Sequence, residues 1–165
     1  MNFARPVLVL LAATVTQVCY INDAQAAQQS PLLGMWSLDV EQMQAPAEMR
    51  PKSVTITFAE AGEDKWSTKV SIVAPDDSVR EMTGIYALGG TAAPIAGDQL
   101  EADTAAVTTP LPNVMLLALA KEGHPASTRL YTVSSDGGLM TEKAVSWDDK
   151  GTPIIRTNIF RRNSP

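Results

Sequence analysis

Hydrophobic and polar residues alternate with a period of two through most of the chain beyond residue 33. Ser53-Val54-Thr55-Ile56-Thr57-Phe58 is the clearest case. Val54, Ile56 and Phe58 fall on one face and the hydroxyl residues on the other, the signature of a strand with one buried side. Gly34-Met35-Trp36-Ser37-Leu38-Asp39-Val40 reads the same way, with Trp36, Leu38 and Val40 together, and Lys65–Ala74 aligns Trp66, Thr68, Val70 and Ile72. Further strands are expected at Val79–Leu88, Thr91–Ile95, Asp103–Thr109, Asn113–Ala120, Ala126–Ser134, Leu139–Trp147 and Ile154–Arg162. Turn signals separate them: Glu60–Asp64, Pro75–Ser78, Gly89-Gly90, Pro110-Leu111-Pro112, Gly123-His124-Pro125, Asp136-Gly137 and Asp148–Pro153. Gln42–Pro51 reads as a loop with room for one helical turn at Ala45–Met49. Gly84 inside its strand signals a bulge or a tight bend. No segment keeps a helical period over a useful length. About ten short strands at regular spacing predict an all-β, antiparallel, up-and-down barrel of about eight to ten strands.

One run breaks the alternation. In Asn113–Ala120, Met115, Leu117 and Leu119 take one face while Val114, Leu116 and Ala118 make the other face apolar too. A barrel strand with a wet outer side should not look like this. A cover is expected, from the Gln42–Arg50 loop, from the mature N-terminus or from another subunit. Segment 113–120 is therefore the candidate surface for a protein partner or a homodimer.

The first 26 residues read differently. Arg5, the apolar run Val7–Ala13 and the small-x-small site Ala24-Gln25-Ala26 form an export signal, removed to leave 27–165 as a single domain. The apolar run is too short to span a bilayer. Cys19 is preceded by Val18 rather than a small residue, so lipidation is not expected, and the only cysteine leaves with the signal. The mature chain has no disulfide and depends on packing, in a periplasmic or secreted location. The formal charge of −5 argues against nucleic acid and anionic membranes as partners.

Gly34-Met35-Trp36 on a first strand, followed by hairpins, resembles the Gly-x-Trp opening of lipocalin and fatty-acid-binding (calycin) barrels. Together with Pro51-Lys52-Ser53, Ser135-Asp136-Gly137-Gly138 and Asp149-Lys150-Gly151-Thr152-Pro153, it is similar to a family of small exported bacterial lipocalin-like proteins with no established chemistry. The resemblance implies that Gly34 and Trp36 close the barrel floor and that a basic side chain near the end of the last strand lies over the indole. Arg161 and Arg162 stand there; Arg161 shares parity with Ile155 and Ile159 and is the expected inward one.

Candidate chemistry is sparse. His124 is the only histidine and sits in a turn signal, and the usual zinc ligand sets cannot form. Asp76-Asp77 and Asp148-Asp149 lack calcium-loop spacing and read as turn residues. No cofactor and no catalysis are expected; an enzyme would have to assemble Glu81, Thr83, Tyr131 and Lys143 inside the barrel. The expected function is binding of a small apolar or amphipathic ligand in the interior, with Phe58, Trp66, Tyr86, Leu117, Tyr131 and Lys143 as candidate contacts. Lys143 has the parity of Val145 and Trp147, so it points inward unless the strand twists or bulges. The alternative is a protein-binding barrel such as a protease inhibitor, whose tail would be Ala27–Leu32.

Overall fold

The computed structural model describes residues 29–163; the export signal read at 1–26, with Ala27-Gln28, lies outside them. Eleven strands follow one another: β1 (Gly34–Leu38), β2 (Ser53–Glu60), β3 (Lys65–Val73), β4 (Val79–Ala87), β5 (Ala93–Pro94), β6 (Ala96–Gly97), β7 (Thr104–Leu111), β8 (Val114–Lys121), β9 (His124–Val133), β10 (Leu139–Trp147) and β11 (Pro153–Arg162). All pairings are antiparallel, in the order β5-β7-β8-β9-β10-β11-β1-β2-β3-β4-β6. The first and last long strands pair, Leu38 opposite Phe160 and Trp36 opposite Arg162. The free edges, at β4 and β7, are spanned by the stretch carrying β5 and β6 and by a single bridge between Gly89 and Thr108. The result is a nearly closed barrel, as the alternation predicts; the Thr91–Ile95 signal shrinks to the two-residue Ala93–Pro94 on β7, and a second short piece, Ala96–Gly97, lies just beyond it on β4.

The barrel is built on Trp36, whose side chain is 0% exposed. Its indole N–H donates to the Leu32 carbonyl at 2.9 Å. The guanidinium of Arg162 lies over the ring, 4.1 Å from its centroid. That cation is Arg162 and not Arg161. Phe160 and Arg162 share the inner face of β11 with Asn158, while Ile155, 67% exposed, lies on the outer face with Ile159. Parity with Ile155 and Ile159 misleads because that outer face is itself apolar. Arg161 instead pairs with Asp39 at 2.9 Å on the surface. Arg162 also donates to the carbonyls of Leu33 and Gly137, each at 2.7 Å, and to that of Pro31. Gly34 is required beneath it: its φ is +121°, and a Cβ there would stand 2.7 Å from Arg162 Nη1.

The described part of the N-terminal stretch is held against this floor. Leu32 and Leu33 are buried, and the Ser30 hydroxyl donates to the Pro112 carbonyl at 2.8 Å. A tail pinned in this way fits poorly with one free to enter a protease cleft. At the other end, the chain leaves β1 through two 3-10 turns, Val40–Gln42 and Ala47–Met49. The Arg50 side chain fastens this loop by donating to the carbonyls of Ala45 and Glu41.

Two further expectations are narrowed. Gly84 is not a bulge, for β3 and β4 stay in register from Lys65–Ala87 to Val73–Val79. It is small because the Tyr86 ring folds back over it; a Cβ at Gly84 would lie 1.8 Å from the phenol oxygen. The apolar run at 113–120 is a strand, with Met115 and Leu117 buried inside. Its outer face is not covered by the protein's own described residues: Leu116 is 37% exposed and faces Leu130, 38% exposed, on the next strand.

Candidate functional site

Burial along the strands gives the barrel a direction. Phe160, Met140, Val133 and Phe58 are buried next to the Trp36 floor, while the opposite ends of the same strands are open. Above the floor lies a cavity of about 470 Å³. Its base is apolar: Ile56, Phe58, Tyr86, Leu117 and Phe160 line it, and Phe58 meets the Tyr131 ring edge-on at 5.8 Å. Val70, Met82, Ile95 and Leu119 continue the walls, and Met43, Met49 and Pro51 from the β1–β2 loop stand at the mouth with Ala74 and Pro75.

A polar band crosses the wall above this base. Cross-strand register places Leu117, Arg129, Ala144 and Arg156 in one row, and Met115, Tyr131, Glu142 and Asn158 in the row nearer the floor. Side chains at paired positions meet, and these do. The carboxylate of Glu142, 2% exposed, accepts from the Tyr131 hydroxyl at 2.7 Å, from Asn158 Nδ2 at 2.6 Å and from Arg129 Nη1 at 3.2 Å. Arg129 Nη2 also donates to both oxygens of Glu101 at 2.5 Å, and Ser127 Oγ donates to Glu101 at 2.9 Å. Arg129 Nε is the one buried side-chain polar atom without a partner among the described residues. Burial, reinforced by the Glu142 carboxylate, pushes the Tyr131 phenol well above its ordinary value, so it remains a neutral donor.

A second ion pair ties down the segment that closes the barrel. Arg80 on β4 holds Asp98 in a fork, Nε to Oδ2 at 2.6 Å and Nη2 to Oδ1 at 2.9 Å. Asp98 also accepts the Leu100 N–H at 2.9 Å. With Glu101 on Arg129, the stretch from Ala93 to Asp103 is fixed to both walls. The Arg80 hydrogen bonds, then the Leu100 N–H, hold the Asp98 carboxyl down at about 2. A depressed carboxyl stabilises the fold above its unfolded value and loses that contribution as pH falls through the folded value. Stability should therefore be level near neutrality and fall between about pH 4 and about pH 2. Thermal unfolding followed by circular dichroism across this range checks it: Asp98→Asn should be less stable at neutral pH and show a shallower acid limb.

Of the residues singled out from sequence, Phe58, Tyr86, Leu117 and Tyr131 line the cavity. Trp66 is buried but sits beside the floor, opposite Glu60 and Tyr86, and is not part of the lining. Lys143 points outward and is exposed, because β10 turns Val145 and Trp147 outward too; Trp147 is 48% exposed. The inward residues are their neighbours, Glu142 and Ala144. Glu81 lies outside, paired with Lys69 at 3.2 Å, and Thr83 touches the cavity only at its edge near β6. The four residues considered for catalysis are thus not gathered in one place. Sequence reading missed Arg80, Asp98, Glu101, Arg129, Glu142, Arg156 and Asn158. The signal for Arg129 was present, since it alternates with Tyr131 and Ser127. For Glu142 the polar outer face expected of a strand gave the wrong parity.

No family model and no curated protein sequence matches this chain. Solved structures do. The wild-type fluorescent protein UnaG superposes with a TM-score of 0.51 at 14% identity, over 79% of this chain and 96% of that one. Zebrafish ileal bile acid-binding protein complexed with cholic acid gives 0.51 at 11% identity, over 81% of this chain and 100% of that one. The fold is a calycin-type β-barrel. At such identities the likeness concerns the fold alone.

Proposed function

We propose that this protein is an exported binding protein that holds one small apolar or amphipathic molecule in its barrel and performs no reaction on it. The cavity carries the reading: about 470 Å³, apolar at its base, with a few convergent polar groups above. Sites for small molecules are typically about 300–1,000 Å³ and are built this way. The bile acid-binding protein with the same fold supports a ligand of this class. The polar groups of the band are spent on one another, which suits a wall that orients a ligand better than a group that attacks one. Placement outside the cytoplasm rests on the signal at residues 1–26 and is part of the proposal.

The test is native mass spectrometry of protein purified from the cells that make it, followed by titration of the stripped protein with an apolar fluorescent dye. A retained small mass and saturable one-to-one dye binding are expected. Leu117→Trp, which fills the cavity from its buried wall, should abolish binding while leaving the barrel folded. No retained mass together with no dye binding would remove the reading.

A further inference from the structure

We infer that the ligand is an amphipathic anion bound with its charged head at the mouth against Arg156 and its apolar body down toward Phe58, an inference that rests on the binding reading above. Three cations line the cavity, Arg80, Arg129 and Arg156. Arg80 is held by Asp98, and Arg129 by Glu101 and Glu142. Arg156 forms no ion pair among the described residues and is exposed.

The interior itself opposes an anion. Arg129 already faces two carboxylates, and the Tyr131 and Asn158 donors are taken by Glu142. A ligand carboxylate placed there would lose water, find only the unpartnered Nε of an arginine already paired twice, and meet two like charges. The mouth differs. Along the inner face of β11, Ile154 and Arg156 are exposed, Asn158 is half-buried and Phe160 is buried, so Arg156 stands where the strand emerges. Its neighbour in register is Ala144, whose methyl leaves the guanidinium room to swing over the opening. The nearest carboxylate by register, Glu142, lies one row deeper and already accepts three hydrogen bonds. A free guanidinium at the mouth of a cavity whose base is apolar matches an apolar body ending in a carboxylate or sulfonate.

Calorimetric titration with dodecanoate, dodecanol and dodecyltrimethylammonium at neutral pH tests this. Dodecanoate should bind about fivefold tighter than dodecanol, the size expected of a charge pair open to water, and the cation should bind least. Raising salt to about 0.5 M should shrink the dodecanoate-to-dodecanol ratio, since a head at the mouth is screened. Arg156→Gln should collapse the ratio, and Arg156→Lys should keep most of it. A dodecanoate preference that persists in Arg156→Gln and in high salt would put the head inside the barrel and overturn the inference. Equal binding of dodecanoate and dodecanol by the wild-type protein would also overturn it, while leaving the binding function standing. Failure of every probe to bind would remove the binding function, and the head-group assignment with it.

Discussion

Replacing Trp36 with alanine should lower stability by about 3–5 kcal/mol, the usual loss when a fully buried aromatic side chain is truncated. A domain of this size has only about 5–15 kcal/mol in total, so the variant should be close to unfolding at physiological temperature. Several losses coincide. The indole is the largest fully buried side chain, and its removal leaves a void between the first and last strands. The Leu32 carbonyl loses its buried donor. Arg162 loses the ring it covers, while its bonds to three backbone carbonyls keep it from following the collapse. Urea unfolding of Trp36→Ala beside Trp36→Phe separates these parts. Phenylalanine should restore most of the packing and leave a deficit of about 1–2 kcal/mol from the orphaned carbonyl. A loss under about 1 kcal/mol for the alanine variant would mean that the floor does not depend on Trp36.

The legibility of this fold follows from where the physics is local. Strand positions were readable because one buried face forces alternation, as in Val54, Ile56 and Phe58, and turns were readable because Gly, Asp and Pro mark them. Facing was less readable. Wherever the outer surface is also apolar, parity points the wrong way: Val145, Trp147 and Ile155 are outside and took Lys143 and Arg161 with them as apparent inward residues. Gly84 was visible as an anomaly, but its cause, the Tyr86 ring folded over it, lies in a rotamer that no pattern shows. The polar band was least readable of all. Glu142 and Asn158 meet through the register of β10 with β11, and Glu101 reaches Arg129 from the segment that closes the barrel. Such partnerships depend on tertiary placement, and each residue alone looks like a surface charge or amide.

Glu142→Ala is the second variant with a large expected effect, about 3–5 kcal/mol, as for breaking a buried ion pair from one side. Glu142 is 2% exposed, so the groups bonded to its carboxylate depend on it rather than on bulk water. The Tyr131 hydroxyl and the Asn158 amide would lose their acceptor, and Arg129, already carrying an unpartnered Nε, would keep only Glu101. Glu142→Gln keeps an acceptor oxygen in place and should cost less, about 1–3 kcal/mol. The informative comparison is Glu142→Leu combined with Tyr131→Phe and Asn158→Leu. If the penalty comes from orphaned polar groups, this apolar triple variant should be more stable than Glu142→Leu alone, because the stranded donors are gone as well. Chemical unfolding of the four proteins gives the answer, with equal slopes required for the comparison. A triple variant no better than Glu142→Leu would show that what the barrel needs at this position is the negative charge beside Arg129. The band would then be an ion pair with incidental neighbours and not a network.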